Sequence, residues 1–139
     1  MWIQKNLTLP PHPRGFHLIT DSILQALPEL SDIKIGLMNV FIKHSSASLT
    51  LNEDVERSVR TDMETYFSQI APENVGGYEH MNEGPDDMPA HLKTSLLGCH
   101  LNIPICQGKP DLGRWQGIYL CEHRNHANER HLTLTVHGE

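Results

Sequence analysis

The sequence predicts an α+β fold in which antiparallel sheets form a sandwich or a barrel-like layer, joined by one long helix and one or two short ones. Three observations predict it. About seven strand-like segments lie along the 139 residues. They are not separated by the regular helices that a Rossmann-type parallel sheet requires. Only one segment carries a sustained helical period. The length suits one domain, and surface scaling buries roughly 68% of the unfolded surface at this mass, enough for one core without disulfide or metal staples. Residues 1–139 are therefore read as a single domain.

The elements follow in order. Residues 2–9 end in apolar alternation at Leu7 and Leu9, which Pro10, Pro11 and Pro13 break. Gly15 opens a short strand over residues 16–19. Thr20 or Asp21 caps a short helix carrying Ile23, Leu24 and Leu27, which stalls near Pro28. Residues 33–44 form the longest strand candidate. Ile33, Ile35, Leu37 and Phe41 share one face while Met38, Val40 and Ile42 share the other, a pattern that predicts a central strand covered on both sides. Residues 47–51 read as the next strand. Asp54 is the expected N-cap of a helix over residues 55–70, where Val55, Val59, Met63, Tyr66, Phe67 and Ile70 recur at helical steps and Pro72 follows as the stop.

Residues 73–88 are polar, contain Gly and Pro and lack a core period; a connection this long is usually functional or disordered. Residues 89–97 suit a short helix, with Pro89 in its first turn and Gly98 after its end. The last third is β. Cys99, Leu101, Ile103 and Ile105 alternate, residues 108–111 turn, and residues 115–122 form a strand. Leu132, Leu134 and Val136 alternate strictly after a polar turn. Pro104 inside a strand predicts an edge or a bulge.

Composition excludes several function classes. Eleven Lys and Arg stand against 17 Asp and Glu, a net charge of −6 with a pI near 5.9. Nothing in that balance supplies the cationic footprint of a nucleic-acid partner. No apolar run approaches the roughly 18 residues of a membrane helix. Gln4, Lys5 and Asn6 fall where a signal peptide would be apolar, so a cytoplasmic protein is expected and the Asn6-Leu7-Thr8 sequon is read as chance. Cys99, Cys106 and Cys121 form no C-x-x-C pair, which fits reduced thiols in that compartment.

The unusual count is histidine, 10 residues in all. Seven have ordinary explanations. His131 and His137 share a polar strand face, His12 and His126 sit in loops, and His17, His100 and His123 lie in strands, where a hydrogen-bonded structural histidine is the default. His44 closes the long strand before Ser45-Ser46-Ala47-Ser48. His80 and His91 bracket the acidic stretch from Met81 to Asp87. Their separation is wider than structural zinc spacings, so spacing alone does not define a site. Histidines with carboxylates would suit zinc, manganese or iron rather than calcium. Asn52-Glu53-Asp54 is the ordinary composition of a helix start, and the glycine pairs lack a P-loop pattern. Trp115-Gln116 fits a pocket wall or a core position equally well.

Longer motifs run through the same residues. His44-Ser45-Ser46-Ala47-Ser48-Leu49-Thr50-Leu51-Asn52-Glu53 resembles the H-[ST]-[ST]-A-S-L-T-[IL]-N-E signature of the YjbQ-like family, sometimes labelled secondary thiamine-phosphate synthase. His80-x-x-Glu83-Gly84, His91-Leu92-Lys93 and Gly98 resemble its central block. Gly113-Arg114-Trp115-Gln116-Gly117-Ile118-Tyr119-Leu120 with Glu122 and Arg130 resembles its C-terminal block. The resemblance implies a compact α+β fold of antiparallel sheets, a homotrimer and a histidine cluster that holds a divalent metal. Carried over, it makes His44, His80 and His91 the ligand candidates, with zinc the first choice of ion and magnesium or manganese the alternatives. One departure stands out: Asp87-Met88-Pro89-Ala90 replaces the usual Asn-Ala-Asp-Ala, so the acidic role would pass to Asp86 or Asp87.

The activity implied by the resemblance joins a hydroxymethylpyrimidine diphosphate to a thiazole phosphate, as a weak or side reaction. Glu83, Glu122 and Lys93 are then the catalytic candidates. Asn52, Arg114, Trp115, Gln116 and Arg130 would bind a small anionic or phosphorylated substrate. Two alternatives stay open: a metal-dependent hydrolase or lyase of another phosphorylated metabolite, and a non-catalytic trimeric module that binds an anion.

Overall fold

The strict alternation at the C-terminal end of the chain buries Leu132, Leu134 and Val136 completely, and the other strands assemble around them. The computed structural model describes residues 1–139. Its elements are β1 (Trp2–Leu9), β2 (Gly15–Leu18), α1 (Thr20–Ala26), a 3-10 helix (Pro28–Asp32), β3 (Ile35–Ile42), β4 (Ala47–Glu53), α2 (Arg57–Ile70), α3 (Asp87–Leu97), β5 (His100–Cys106), β6 (Lys109–Pro110), β7 (Gln116–Glu122) and β8 (Arg130–Gly138). Every strand pair is antiparallel. Five strands form one sheet in the order β1-β8-β3-β5-β6, and three form a second in the order β2-β7-β4.

The core lies between the sheets. Eighteen buried residues form one cluster, with Met38, Val40, Ile103, Leu132 and Leu134 from the larger sheet facing Leu49, Ile118 and Leu120 from the smaller. Ile23 and Leu27 of α1, with Leu30 and Ile33 around the 3-10 helix, join the same cluster. A second, smaller cluster of Phe16, Tyr119 and Cys121 sits on the other side of the three-stranded sheet, against Met63 and Phe67 of α2. The α+β architecture expected from the sequence is therefore the one observed.

Neither Thr20 nor Asp21 caps α1: Thr20 is its first residue, and its Oγ1 accepts the Ile118 N–H at 2.9 Å instead. Three larger details also differ from expectation. β3 is central in its sheet, between β8 and β5, but it is covered on one face only. Met38, Val40 and Ile42 are buried, whereas Ile35, Leu37 and Phe41 are 67%, 57% and 40% exposed. The strand covered on both faces is β7, buried at every position from Gly117 to Glu122. The reason is placement: α2 packs on β2 and α3 on β4, so the helices roof the smaller sheet and leave the outer face of the larger one bare. Next, α2 begins at Arg57, two residues later than predicted. Oε2 of Glu53 accepts the backbone N–H groups of Val55 and Glu56 at 2.9 and 2.8 Å, and that turn uses the donors that Asp54 would have capped. Finally, α3 begins at Asp87 rather than at residue 89, a shift that reorganises the site described below. Pro104 behaves as predicted: β6, its outer neighbour, has only two residues, and the Asp111 N–H bonds the Pro104 carbonyl at that edge at 2.8 Å.

Candidate metal centre

α3 carries two of the site's side chains because its start lies far enough upstream. Asp87 and His91 are one helical turn apart, and residues at that spacing lie over each other on one face. Gly84 makes the reversal that brings the preceding loop back onto this turn, with φ of 105°. Its backbone conformation favours glycine, and a Cβ there would stand 3.0 Å from Oδ1 of Asp86, a tight contact. The same loop delivers His80. Its Nε2 lies 2.6 Å from Oδ2 of Asp87, and the Nε2 of His91 lies 3.0 Å from that oxygen. One ligand atom from each of His80, Asp87 and His91 lies within 4.8 Å of the other two.

The surroundings hold this group rigidly. Oδ1 of Asp87 accepts from the Arg124 guanidinium at 2.6 Å. Arg124 also donates to Asp86 Oδ2 at 2.9 Å and to the Glu83 carbonyl at 2.8 Å, while the Asn125 N–H binds the same Asp86 oxygen at 2.9 Å. Burial alone would raise the Asp87 carboxyl. The His80 hydrogen bond, the Arg124 charge and His91 outweigh it and hold Asp87 below the ordinary carboxylate range. Asp87 is therefore an ionised acceptor, 1% exposed.

The tautomer of His91 follows from its other bond. Its Nδ1 lies 2.8 Å from the carbonyl oxygen of Ser45, which can only accept, so Nδ1 carries the proton. In a neutral ring Nε2 is then a bare lone pair aimed at a carboxylate oxygen, an arrangement that is stable only with a cation or a second proton between them. A carbonyl that orients a histidine through its far nitrogen is the common supporting partner of a metal-binding imidazole. The donor set fits a divalent ion.

The other expected site residues lie elsewhere. His44 is not brought to His80 and His91: its Nε2 accepts the His131 backbone N–H at 2.8 Å, and its ring stacks on His131 at 5.7 Å. The chain turning from β3 into β4 aims this ring at β8, and Asp87 takes the third place in the cluster. Glu122, fully buried, is bound by Arg130 through two bonds of 2.7 and 2.6 Å. That pairing leaves neither side chain facing the cluster as an acid or an anion-binding group. Lys93 points inward from α3 and is 1% exposed. Burial, then the Arg14 charge, lowers its ammonium from the ordinary lysine range. Arg114 stacks on Trp115 at 4.7 Å, and Gln116 Oε1 accepts the Gly113 N–H at 2.9 Å. These three stand at the opposite end of β7 from Arg124, roughly 20 Å away at the rise of a strand. Asn52 contacts Met63 of α2 at 3.5 Å. Glu83 is exposed and forms no ion pair through its carboxylate.

Arg124 and Ser45 were not predicted. Ser45 acts through its backbone and leaves no residue-type signal. The Asp87–His91 pair was legible in principle, as an acid and a histidine four residues apart, once the helix is started at residue 87.

One residue before Arg124, His123 is 1% exposed, with Nε2 at 2.8 Å from Ser48 Oγ and a buried, unpartnered Nδ1. Burial first, then the charges of Lys93 and Arg130, push its pKa down to about 3. An unfolded histidine titrates near 6.5. The unfolded chain thus takes up this proton first, so the stability His123 contributes is complete above pH 6.5 and is lost as pH falls from there toward 3. Between pH 6.5 and 5, carboxylates stay ionised, and the loss is expected on the order of 1 kcal/mol per pH unit. Urea midpoints measured through this window should fall, and His123→Gln should flatten the slope; equal slopes would remove His123 as the cause.

An antiparallel two-sheet α+β domain with a His–Asp–His cluster beneath a glycine-turned loop is the class that the fold and the site define. The sequence profile described as UPF0047 protein YjbQ-like matches residues 5–139, and the chain belongs to this family. It is 50% identical to YjbQ of Escherichia coli O157:H7 over 139 residues, covering all of both chains. It is 39% identical to a UPF0047 protein of Synechocystis over 136 residues, or 98% of this chain and 92% of the relative. Among solved structures, a YjbQ-family protein of Clostridium acetobutylicum superposes with a TM-score of 0.81 at 31% identity, covering 97% of this chain and 99% of the other. One from Sulfolobus solfataricus gives 0.88 at 26% identity, covering 100% and 99%.

Proposed function

We propose that the chain is a metal-dependent enzyme that holds a divalent ion at His80, Asp87 and His91 and acts on a small molecule. The observation that carries this reading is the His91 ring, whose Nδ1 is committed to Ser45 O and whose Nε2 faces the Asp87 carboxylate at 3.0 Å. Zinc is the ion of choice, because two imidazoles and a carboxylate suit it better than magnesium, which prefers oxygen ligands. When bound in such a set with an open position, zinc brings the pKa of a coordinated water toward neutrality and polarises a substrate oxygen. The chain's own part is orientation. Ser45 O sets the His91 ring, Arg124 fixes the Asp87 carboxylate, and Glu83, exposed and without an ion pair, is the carboxylate available to move a proton.

Hydrolysis or elimination is the favoured reaction class. The transfer between a pyrimidine diphosphate and a thiazole phosphate is the weaker proposal, because Lys93 is buried, Arg130 is paired with Glu122 and Arg114 stands at the far end of β7. Assembly as a homotrimer is part of the reading. Its support is the bare outer face of the larger sheet, where Trp2, Ile35, Leu37 and Phe41 are exposed. The chain's accessible surface, 7964 Å², is roughly 9% above the scaling for a monomer of this mass. No helix is long and apolar enough to cross a membrane. We assign the protein to the cytoplasm, a reading supported by the three free thiols.

The test is elemental analysis of protein purified without chelators, with its mass in solution. About one zinc per chain is expected, in a particle of about 47 kDa, three times 15.7 kDa. Less than about a tenth of an ion per chain, with no uptake on adding zinc, would sink the metal reading. A 15.7 kDa particle would sink the trimer alone.

A further inference from the structure

The loop that delivers His80 also encloses a cavity. About 250 Å³ is bounded by Val75, Tyr78, His80, Met81, Pro85 and Met88. His80 belongs to both places: it lines this cavity, and its Nε2 meets Asp87 at 2.6 Å. The cavity therefore shares one residue, His80, with the candidate metal centre. Three left-handed backbone positions, Asn74 at φ 56°, Gly77 at φ 110° and Gly84 at φ 105°, turn the loop around it.

The lining is uncharged, with Asn74, Tyr78 and His80 as its polar members. It contains no lysine, arginine, aspartate or glutamate. Arg124, the cation nearest to this segment in the bonding pattern, is fully engaged by Asp86, Asp87 and the Glu83 carbonyl. A phosphate inside the cavity would meet no counter-charge and would lose its hydration without return. Methionine and tyrosine walls have the opposite preference. Thioether sulfur packs favourably near aromatic ring edges, and an unbranched methionine adapts to the ring's outline. The volume is below the 300–1,000 Å³ of sites that take drug-sized ligands, which fits a single ring. A larger cleft of about 450 Å³ lies between Arg14, Phe16, His17, Arg57, Arg60 and Glu64, but it shares no residue with the cluster. Its Arg14 is already paired with Glu64 and Glu73, and its Arg60 is held by Tyr119 and the Asp54 carbonyl.

We infer that the 250 Å³ cavity is the recognition pocket of the metal centre. It takes a ligand with an oxygen donor head that reaches His80, Asp87 and His91 and an uncharged aromatic or heteroaromatic ring seated against Tyr78, Met81 and Met88. The inference rests on the metal reading above and adds the substrate class: the ring, not a phosphate, is the handle this site recognises.

The experiment uses full-length, zinc-loaded protein with its methionine methyl groups labelled with carbon-13, titrated with benzohydroxamate and acetohydroxamate. Both probes carry the same metal-binding head and differ in the ring. Benzohydroxamate should bind at least about tenfold more tightly. It should shift the methyl signals of Met81 and Met88 while buried Met38 stays unmoved. Met88→Ala should reduce the preference to about threefold or less while zinc content is unchanged. Equal affinities, shifts confined to other methionines, or tighter binding of β-glycerophosphate than of benzohydroxamate would overturn the pocket while leaving the metal centre standing. Failure of the protein to take up zinc overturns the metal reading and this inference with it, and the zinc content separates the two cases.

Discussion

Asp87→Asn is expected to weaken zinc binding at least about 100-fold, beyond the 10–100-fold typical of losing a supporting partner, because it removes the only charged member of the cluster. The substitution keeps the shape and one acceptor oxygen. Arg124 and His80 therefore retain hydrogen-bonding partners, and folding should be preserved as judged by circular dichroism. Competition titration with a chromophoric chelator reads the affinity. His44→Ala is the paired control. Its Nε2 already accepts the His131 N–H, so zinc affinity should change less than about threefold. The family resemblance, taken alone, gives the reverse ranking, with His44 a ligand and the acidic position uncertain. Strong zinc loss in His44→Ala with Asp87→Asn unaffected would restore the three-histidine set.

The largest effect on stability is expected where Glu122 meets Arg130. The carboxylate is fully buried, receives two bonds from the guanidinium and a third from the Arg124 N–H at 3.1 Å. Arg130 also donates to the Ser46 carbonyl at 3.3 Å, which ties β8 to the start of β4. Arg130→Met strands an ionised carboxylate in the core and should cost about 3–5 kcal/mol, read as a lower urea midpoint and a fall in Tm of roughly 10–20 °C. Glu122→Leu combined with Arg130→Met removes both charges and should recover most of that loss. A double variant as unstable as the single one would show that the Ser46 and Arg124 contacts, rather than the stranded charge, dominate. The structure gives the pair a role in tying β7 and β8 to the start of β4, whereas the family pattern suggests Glu122 for catalysis and Arg130 for substrate binding.

These cases show why site residues were harder to read than elements. Strands β5 and β8 could be placed from alternation because apolar spacing along a segment reports which face meets the core. The limits of that signal appear at β3. Its two apolar faces look alike in sequence, yet only Met38, Val40 and Ile42 are buried. Periodicity cannot tell a face covered by this chain's helices from one left open. The boundary of α3 failed for a local reason. Read from the sequence, the helix opens on Pro89 itself, whereas proline is tolerated at any of the first helical positions, which leave their N–H groups unpaired in any case, and here it is the third. Starting the helix at Asp87 puts an acid one turn before His91, and the cluster becomes visible.

What the sequence by itself determined is the α+β class, the near-complete set of strands, the family and the loop in which His80 and Glu83 lie. Those features depend on neighbours within a few residues or on motif order along the chain. Only the tertiary structure decided which side chains cluster, because the cluster is held by contacts distant in sequence. His91 is oriented by a carbonyl 46 residues away, and Asp87 is held by an arginine 37 residues away. His44 is turned aside by a backbone N–H 87 residues distant. Hydrogen bonds of that separation follow from how the sheets pack and where the helices roof them. Ten histidines in one chain mark no site until that packing brings two of them to one carboxylate.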